Sequence, residues 1–422
     1  MMTNCMDKSG NSIYFKLCCY IIYFLVIICG ITPLNIDKYI VLMIITIIIS
    51  FLKYYELKKI TYLLLPLSTL IHGYVVLFAL LLLIIKSKSL NKYQLIPTIV
   101  ILTIESIHFL FLGKFSLISD FVLYCSYITM FFYLLFDNKT KCNFENLSLF
   151  CYSCTIILFI VVYNMISTFG VMETMSGIHR DGSIMGSDDG ENVIGAALNA
   201  NSVGYFSLIV ITLLFVGNRK LKMPLYLYIL SYIIAIVAGI ISFSRTWIIL
   251  VVLSLIMFIM CSNKNISRKI ILVIVIGVLL FSMSSINIIQ NAYDVFGDRL
   301  NGDDIETLGN RTGISDKYIE YMNENKDTWV WGRGSIQSKY INNATIHNAI
   351  IQIVFSYGAI GFLTYLVSFV LFFKRARGRQ TPKVQYIPFI ACFIEIQTLQ
   401  FLSPPFMMFP ILISMQALSS VD

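Results

Sequence analysis

Apolar runs of near bilayer length recur along this chain of 422 residues, and no other feature limits its fold as tightly. They fall at roughly 13–31, 38–52, 60–85, 93–112, 116–136, 147–169, 197–217, 224–242, 245–261, 269–288, 347–373 and 385–402. A shorter Pro-punctuated run follows near 404–418. A hydrocarbon core about 30 Å thick needs about 20 apolar residues to be crossed as a helix, in which every backbone group is satisfied internally. The pattern therefore predicts an all-α, polytopic integral membrane protein with about 12 spans. An outer-membrane barrel is excluded, because its strands would alternate polar and apolar residues over short segments. Composition agrees: 58% of residues are hydrophobic and 13% charged, where a soluble domain carries about 25% charge. The first run lacks a small-residue cleavage site and reads as a retained anchor.

The net charge of +8 does not point to nucleic acid, because the basic residues sit in short clusters between apolar runs. NRKLK (218–222), NKNISRK (263–269) and KRARGRQTPK (374–383) are predicted to face the cytoplasm, with DNKTK (137–141) on the same side. The intervening segments then face outward. The chain divides into N-terminal membrane helices over 1–169, a first outward loop over 170–196, and further spans over 197–288. A large outward loop with a short amphipathic helix follows over 289–346, then C-terminal spans over 347–422. The first half resists this parity. KYYELKK (53–59) and KSKSLNK (86–92) are both basic, yet one run separates them. Either 60–85 is a hairpin bent near Pro66 and Gly73, or one short loop breaks the rule.

Most of the chain's polarity lies in the two outward loops, and long loops in a tight membrane protein are usually functional. The first holds Arg180 between His179 and Asp181, a solvated turn or an anion-binding arginine. LNANSVGYF then enters the next helix, where Asn199 and Asn201 can cap it or hydrogen-bond a sugar or phosphate. In ISFSRTWIIL, Arg245 either snorkels at the interface or marks a site. In the second loop NRTGISDKYIEYMNEN predicts an amphipathic helix headed by Arg311, with Ile314, Tyr318, Ile319 and Met322 on its apolar face. TWVWGRGS (328–335) is a Gly-bracketed turn whose tryptophans suit interface anchoring or stacking on sugars.

His347 opens the next apolar run. Asn342, Asn343 or Thr345 is expected to cap that helix, leaving His347 in its first turn. There the dipole disfavours imidazolium, and neutral imidazole can accept a proton. On a helical wheel His347 shares a face with Ile351, Val354, Gly358, Gly361 and Tyr365, and the glycines would admit a close neighbouring helix. A lone histidine is more often structural. Cys151 and Cys154 form a C-x-x-C inside an apolar run with no partner pair, so buried free thiols are expected. No P-loop, G-x-S-x-G, H-E-x-x-H or dinucleotide fingerprint is present, which argues against an ATP-driven pump, a serine hydrolase and a zinc protease. Glu105 and Glu395 lie within apolar runs and would suit a proton-coupled transporter.

Three of these elements, in chain order, resemble the O-antigen polymerase and O-antigen ligase superfamily (Wzy/WaaL-type). They are SFSRTWIIL, then GNRTGISDKYIEYMNENKDTWVWGRGS, then HNAIIQIVFSYGAIGFLTYL, with NANSVG similar to the family's asparagine entry to a helix. The likeness covers about residues 177–372. It departs from the family at Arg333, where a small apolar residue is more usual between the glycines. The resemblance implies a metal-independent membrane glycosyltransferase that needs no cofactor. It would act at the periplasmic face of the bacterial inner membrane on undecaprenyl-diphosphate-linked glycans, as donor and acceptor. It implies that His347 deprotonates or orients the acceptor hydroxyl and that Arg311 and Arg245 hold the donor diphosphate. Arg180 would be a second anion clamp and Arg333 a further phosphate contact, with Asn348 and Asn201 in support. A flippase and a chain-length co-polymerase are the implied partners, with no nucleic acid. Repeat-unit polymerase is the leading expectation, because the second loop is compact. A ligase transferring polymer to lipid A–core is the alternative. A polytopic transporter or flippase is the alternative of another class.

Overall fold

The computed structural model describes residues 13–31, 37–87, 90–136, 144–176, 200–217, 220–242, 244–261, 311–336, 346–376, 382–399, 401–402 and 408–419. Every regular element among them is a helix. In chain order these are α1 (Ile13–Ile31), α2 (Lys38–Ser50), α3 (Tyr54–Leu67), α4 (Tyr74–Ser87), α5 (Lys92–Leu112), α6 (Ile118–Leu135) and α7 (Phe144–Ser176). Then come α8 (Ala200–Leu214), α9 (Leu225–Ile241), α10 (Arg245–Cys261), α11 (Arg311–Glu324), α12 (Asp327–Trp331), α13 (Ala349–Ala376), α14 (Tyr386–Glu395) and α15 (Met408–Ser419). Five stretches are long and apolar enough to cross a membrane: 13–31, 92–112, 115–135, 144–171 and 349–375. Shorter apolar helices include α2, α4, α8, α9, α10 and α15. The expected span at 269–288 lies outside the described residues, as do 177–199 with Arg180 and 289–310.

Local chemistry sets the helix ends. Asp37 caps α2 by accepting from the Tyr39 N–H at 2.8 Å. Asn91 and Gln94 form a reciprocal capping box at the head of α5. That helix stops at Gly113, whose φ of 65° turns the chain left-handed. Burial then sorts the helices. From Ser202 to Leu214, α8 is buried on every side, and α15 is buried from Met408 to Leu418. A helix apolar all round belongs in a core. By contrast α1, α5 and α9 leave large apolar side chains such as Phe24, Phe111 and Tyr226 exposed, as lipid-facing helices do.

The parity of the first half is resolved by α3 and α4. The run 60–85 is a hairpin, broken over residues 68–73 between Pro66 and Gly73 as the first alternative expects. Residues 53–59 and 86–92 therefore share one end of the bundle. Lys86 Nζ donates to the carbonyls of Ser50, at 2.6 Å, and Leu52. Most of KYYELKK belongs to α3 and not to a loop. Lys58 and Lys59 are 2% and 1% exposed in the first turns of α3, and Lys59 pairs with Glu145 at 2.6 Å. The carboxylate makes the burial tolerable, since an unpaired ammonium there would carry its full desolvation cost. Lys220 over the Phe144 ring at 5.5 Å and Arg375 over the Tyr93 ring at 4.0 Å bring 218–222 and the start of 374–383 to the same end. The described basic segments thus gather at one end, while 137–141 and 263–269 lie outside the described residues. Asn201, Arg245, Arg333 and His347 lie at the opposite ends of their helices and turns.

Candidate active site at the head of a broken helix

Asn348 starts α13. Its side-chain oxygen accepts from the N–H groups of Ile350 (3.0 Å) and Ile351 (3.1 Å). The cap is therefore Asn348 itself, not Asn342, Asn343 or Thr345. His347 stands just before the helix, half-buried, and not in its first turn. The first-turn argument for a neutral imidazole loses its footing with that shift. Asn348, expected as a supporting contact, holds the helix end that fixes His347 in place.

The face shared with Gly358 also differs from expectation. A wheel assumes a continuous helix, but Gly358 has φ 64° and ψ −167° and breaks α13. The break releases carbonyls that would otherwise bond one turn ahead. Two of them accept instead from a remote segment: Arg333 N–H donates to Phe355 O at 2.9 Å and Gly334 N–H to Ser356 O at 2.8 Å. The Gly-bracketed turn thus lies as a strap across the broken helix. No side chain fits at the crossing. A Cβ on Gly358 would lie 2.1 Å from Val330 O, and one on Gly332 would lie 2.3 Å from Ser356 O. Gly358 receives the end of the short helix α12 and the strap that follows it, and Gly361 faces Ile101 of α5, so the paired glycines do admit close neighbours.

Two side chains of α5 hold the strap from the opposite side. Glu105, 1% exposed, accepts from Ser335 N–H at 3.0 Å and from Ser335 Oγ–H at 2.7 Å. His108 Nε2 lies 3.0 Å from Trp331 O. A carbonyl only accepts, so Nε2 is the donor of this bond. Neither residue was singled out for this role. The only signal in the sequence is a carboxylate and a histidine three residues apart on one apolar helix, which places them on one face.

The strap presents Arg333 at the mouth of a groove of about 650 Å³, with His108, Asp327 and Trp331 beside it and Ile107 and Phe111 of α5 below. The guanidinium donates through Nε to Thr328 Oγ1 at 3.0 Å and through Nη2 to Asp327 Oδ1 at 3.1 Å, and lies 5.8 Å from the Tyr321 ring centre. A guanidinium has five N–H donors, so others remain for an anion. Trp331 is 57% exposed at the rim.

The amphipathic helix is as the periodicity predicts. Tyr318 and Met322 of α11 are buried with Ile346 and Phe355, and Ile314 and Ile319 pack against them. Tyr318 meets Phe355 edge-on at 4.8 Å between ring centres. Burial pushes its phenol up to about 12, so it docks as the neutral group. Arg311 heads this helix; its side chain lies outside what the structure describes.

Asn201 and Arg245 form a second group. Asn201 is half-buried in the first turn of α8, and Arg245 is half-buried at the first position of α10. One turn along α8, a Cβ on Gly204 would lie 3.1 Å from Ser244 Cβ, which measures how closely the two helices approach. Trp247 pins the turn by donating from Nε1 to Ser207 Oγ at 2.9 Å. Glu395 is buried at the end of α14, and Cys151 and Cys154 are buried free thiols within α7. No grouping of histidine, cysteine and carboxylates suited to a metal occurs among the described residues.

The chain matches no protein-family model, and neither a curated protein nor a solved structure shows significant similarity to it.

Proposed function

We propose that this protein is a membrane glycosyltransferase that polymerises lipid-linked glycan repeat units, with about 12 spans in the bacterial inner membrane and its site on the periplasmic face. One observation carries the reading. The helix headed by Arg311, the turn bearing Arg333 and the helix entry bearing His347 are three separate elements within residues 311–347. Packing on the N-terminal half of α13 joins them into one unit. The resemblance assigns these same segments to donor and acceptor handling.

In this reading the growing chain is donor, linked through its reducing-end sugar to undecaprenyl diphosphate. A hydroxyl of a new lipid-linked repeat unit attacks the anomeric carbon. The C–O bond to the diphosphate breaks, and the electron pair leaves with undecaprenyl diphosphate. The hydroxyl proton passes to His347. Arg311 and Arg245, with Arg180 and Arg333, offset the charge that develops on the leaving group, the step at which fixed cations contribute most. Asn201 supports the donor side, and Asn348 acts by fixing the helix end beside His347. A flippase would supply the substrate and a co-polymerase would set chain length.

The test is the surface glycan of a deletion strain carrying wild-type or variant chains. The deletion should leave one repeat unit on the core. His347→Ala and Arg311→Ala should each fail to restore long chains while the protein persists in the membrane. Long unligated polymer on the lipid carrier would instead mean a lost ligase. Unchanged glycan in the deletion strain would overturn both enzyme readings, and wild-type-like chains from either variant would overturn the site.

A further inference from the structure

The groove of about 650 Å³ beside the strap has two unlike walls. One is a stripe of α5 formed by Ile104, Ile107, His108 and Phe111, whose helical spacing keeps them on one face. Ile107 and Phe111 are exposed, so this wall continues the apolar surface that α5 turns to the surroundings of the bundle. The other wall is polar and comes from α12 and the strap, through Asp327, Trp331 and Arg333. A ligand that fills both is an amphiphile, with hydrocarbon along α5 and a polar part against α12.

The polar wall suits hydroxyls better than an anion alone. Asp327 and Arg333 are joined at 3.1 Å, so their charges sum to zero. The carboxylate repels a bare phosphate but accepts from a hydroxyl, and the guanidinium keeps N–H groups that donate. A sugar uses both, because each of its hydroxyls donates and accepts. Trp331 adds an exposed aromatic ring at the rim. Its backbone is fixed by the bond between its carbonyl and His108, and by the bonds of the strap to α13. An exposed indole on an anchored backbone loses little freedom when a ring stacks on it. We propose that this groove seats the sugar next to the diphosphate of the glycan lipid, its ring on Trp331, its hydroxyls on Asp327 and the start of the isoprenoid chain on Ile107 and Phe111. This site rests on the substrate being a lipid-linked glycan, and Arg333 keeps its phosphate contact there.

Isothermal titration of the full chain in lipid nanodiscs tests this. The probes are farnesyl diphosphate and its conjugates with glucose, galactose or N-acetylglucosamine. Wild type should bind at least one conjugate about tenfold more tightly than farnesyl diphosphate, the usual scale for an aromatic anchor. Trp331→Ala should remove that gain and leave farnesyl diphosphate unchanged, whereas Trp331→Phe, which keeps a ring, should retain most of it. Asp327→Asn should tighten farnesyl diphosphate, which then meets one repelling charge fewer, and shrink the gain from the sugar. Phe111→Ala should weaken every probe by the same factor. Trp329→Ala removes an exposed ring of the same short helix, outside the described lining of the groove, and should change nothing. No gain from any of the three sugars in wild type would overturn the site. So would a gain that survives Trp331→Ala, or one that Trp329→Ala removes equally. Binding needs no polymerisation, so the two readings fail separately. A Trp331-dependent gain alongside unchanged glycan in the deletion strain would keep the sugar site and overturn the polymerase. Lost long chains in that strain with no sugar gain would do the reverse.

Discussion

Two long helices break at a glycine near the same end of the bundle, and the breaks are built differently. In α7, Gly170 has φ 75° and ψ 167°; in α13, Gly358 has φ 64° and ψ −167°. The backbone conformations are close to each other. Their surroundings are not. Among the described residues a Cβ on Gly170 would meet nothing within 4 Å, and the break is closed locally by Thr174 Oγ1, which donates to Gly170 O at 2.7 Å and Met165 O at 3.2 Å. The break at Gly358 is filled by a strap from another part of the chain. A local break changes the direction of one helix. A filled break makes the helix and its filler depend on each other, and here the filler carries Arg333.

That dependence predicts the largest effect for Gly358→Ala. The substitution meets positive-φ strain and a Cβ 2.1 Å from Val330 O, so the strap must lift and lose its two bonds to Phe355 and Ser356. Strain and lost hydrogen bonds together make about 3–5 kcal/mol. Thermal unfolding of the purified protein in detergent should show it, with faster amide exchange over 331–336. An unchanged melting temperature and unchanged exchange would mean that the strap does not rest on the break.

Glu105→Ala should rank next. It removes the two buried bonds that the carboxylate accepts from the Ser335 N–H and hydroxyl, a cost of about 2–3 kcal/mol. Glu105→Gln keeps an amide oxygen that accepts one of the two bonds and should recover more than half of the loss. The pair of variants also separates an enzyme from a proton-coupled transporter. A carboxylate that only carries the strap tolerates Gln, whereas one that must bind and release a proton does not. Long-chain glycan from a Glu105→Gln strain, absent from a Glu105→Ala strain, is the expected outcome.

The contrast between the two breaks also marks what could be read from the sequence. The apolar face of α11 was legible because its four residues recur at helical spacing within one segment. The hairpin of α3 and α4 was half-legible: Pro66 and Gly73 mark a bend, but only the contacts of Lys86 with Ser50 and Leu52 show that the basic segments share an end. The strap was not legible. Glu105 and Ser335 are 230 residues apart, and no local pattern connects them. Gly358 and Gly361 read as a packing face because their spacing suits one. Positive φ leaves no periodic trace, and a glycine that breaks a helix is spelled like one that packs.

Gly170→Ala should have the smallest effect and is the control that gives the comparison its meaning. It incurs the same left-handed strain as Gly358→Ala, about 1–2 kcal/mol, but meets no neighbouring atom among the described residues. The Thr174 bonds arise within the same helix and can follow a small change in its direction. If the two alanine variants are destabilised equally, backbone strain accounts for both, and the strap contributes nothing measurable to the stability of α13. If Gly170→Ala loses about 1–2 kcal/mol and Gly358→Ala several more, the difference is the coupling between the broken helix and the strap. Adding Glu105→Ala to each variant then locates that coupling. Its cost should be additive with Gly170→Ala and much reduced with Gly358→Ala, because a strap already lifted from α13 has less left for Glu105 to hold.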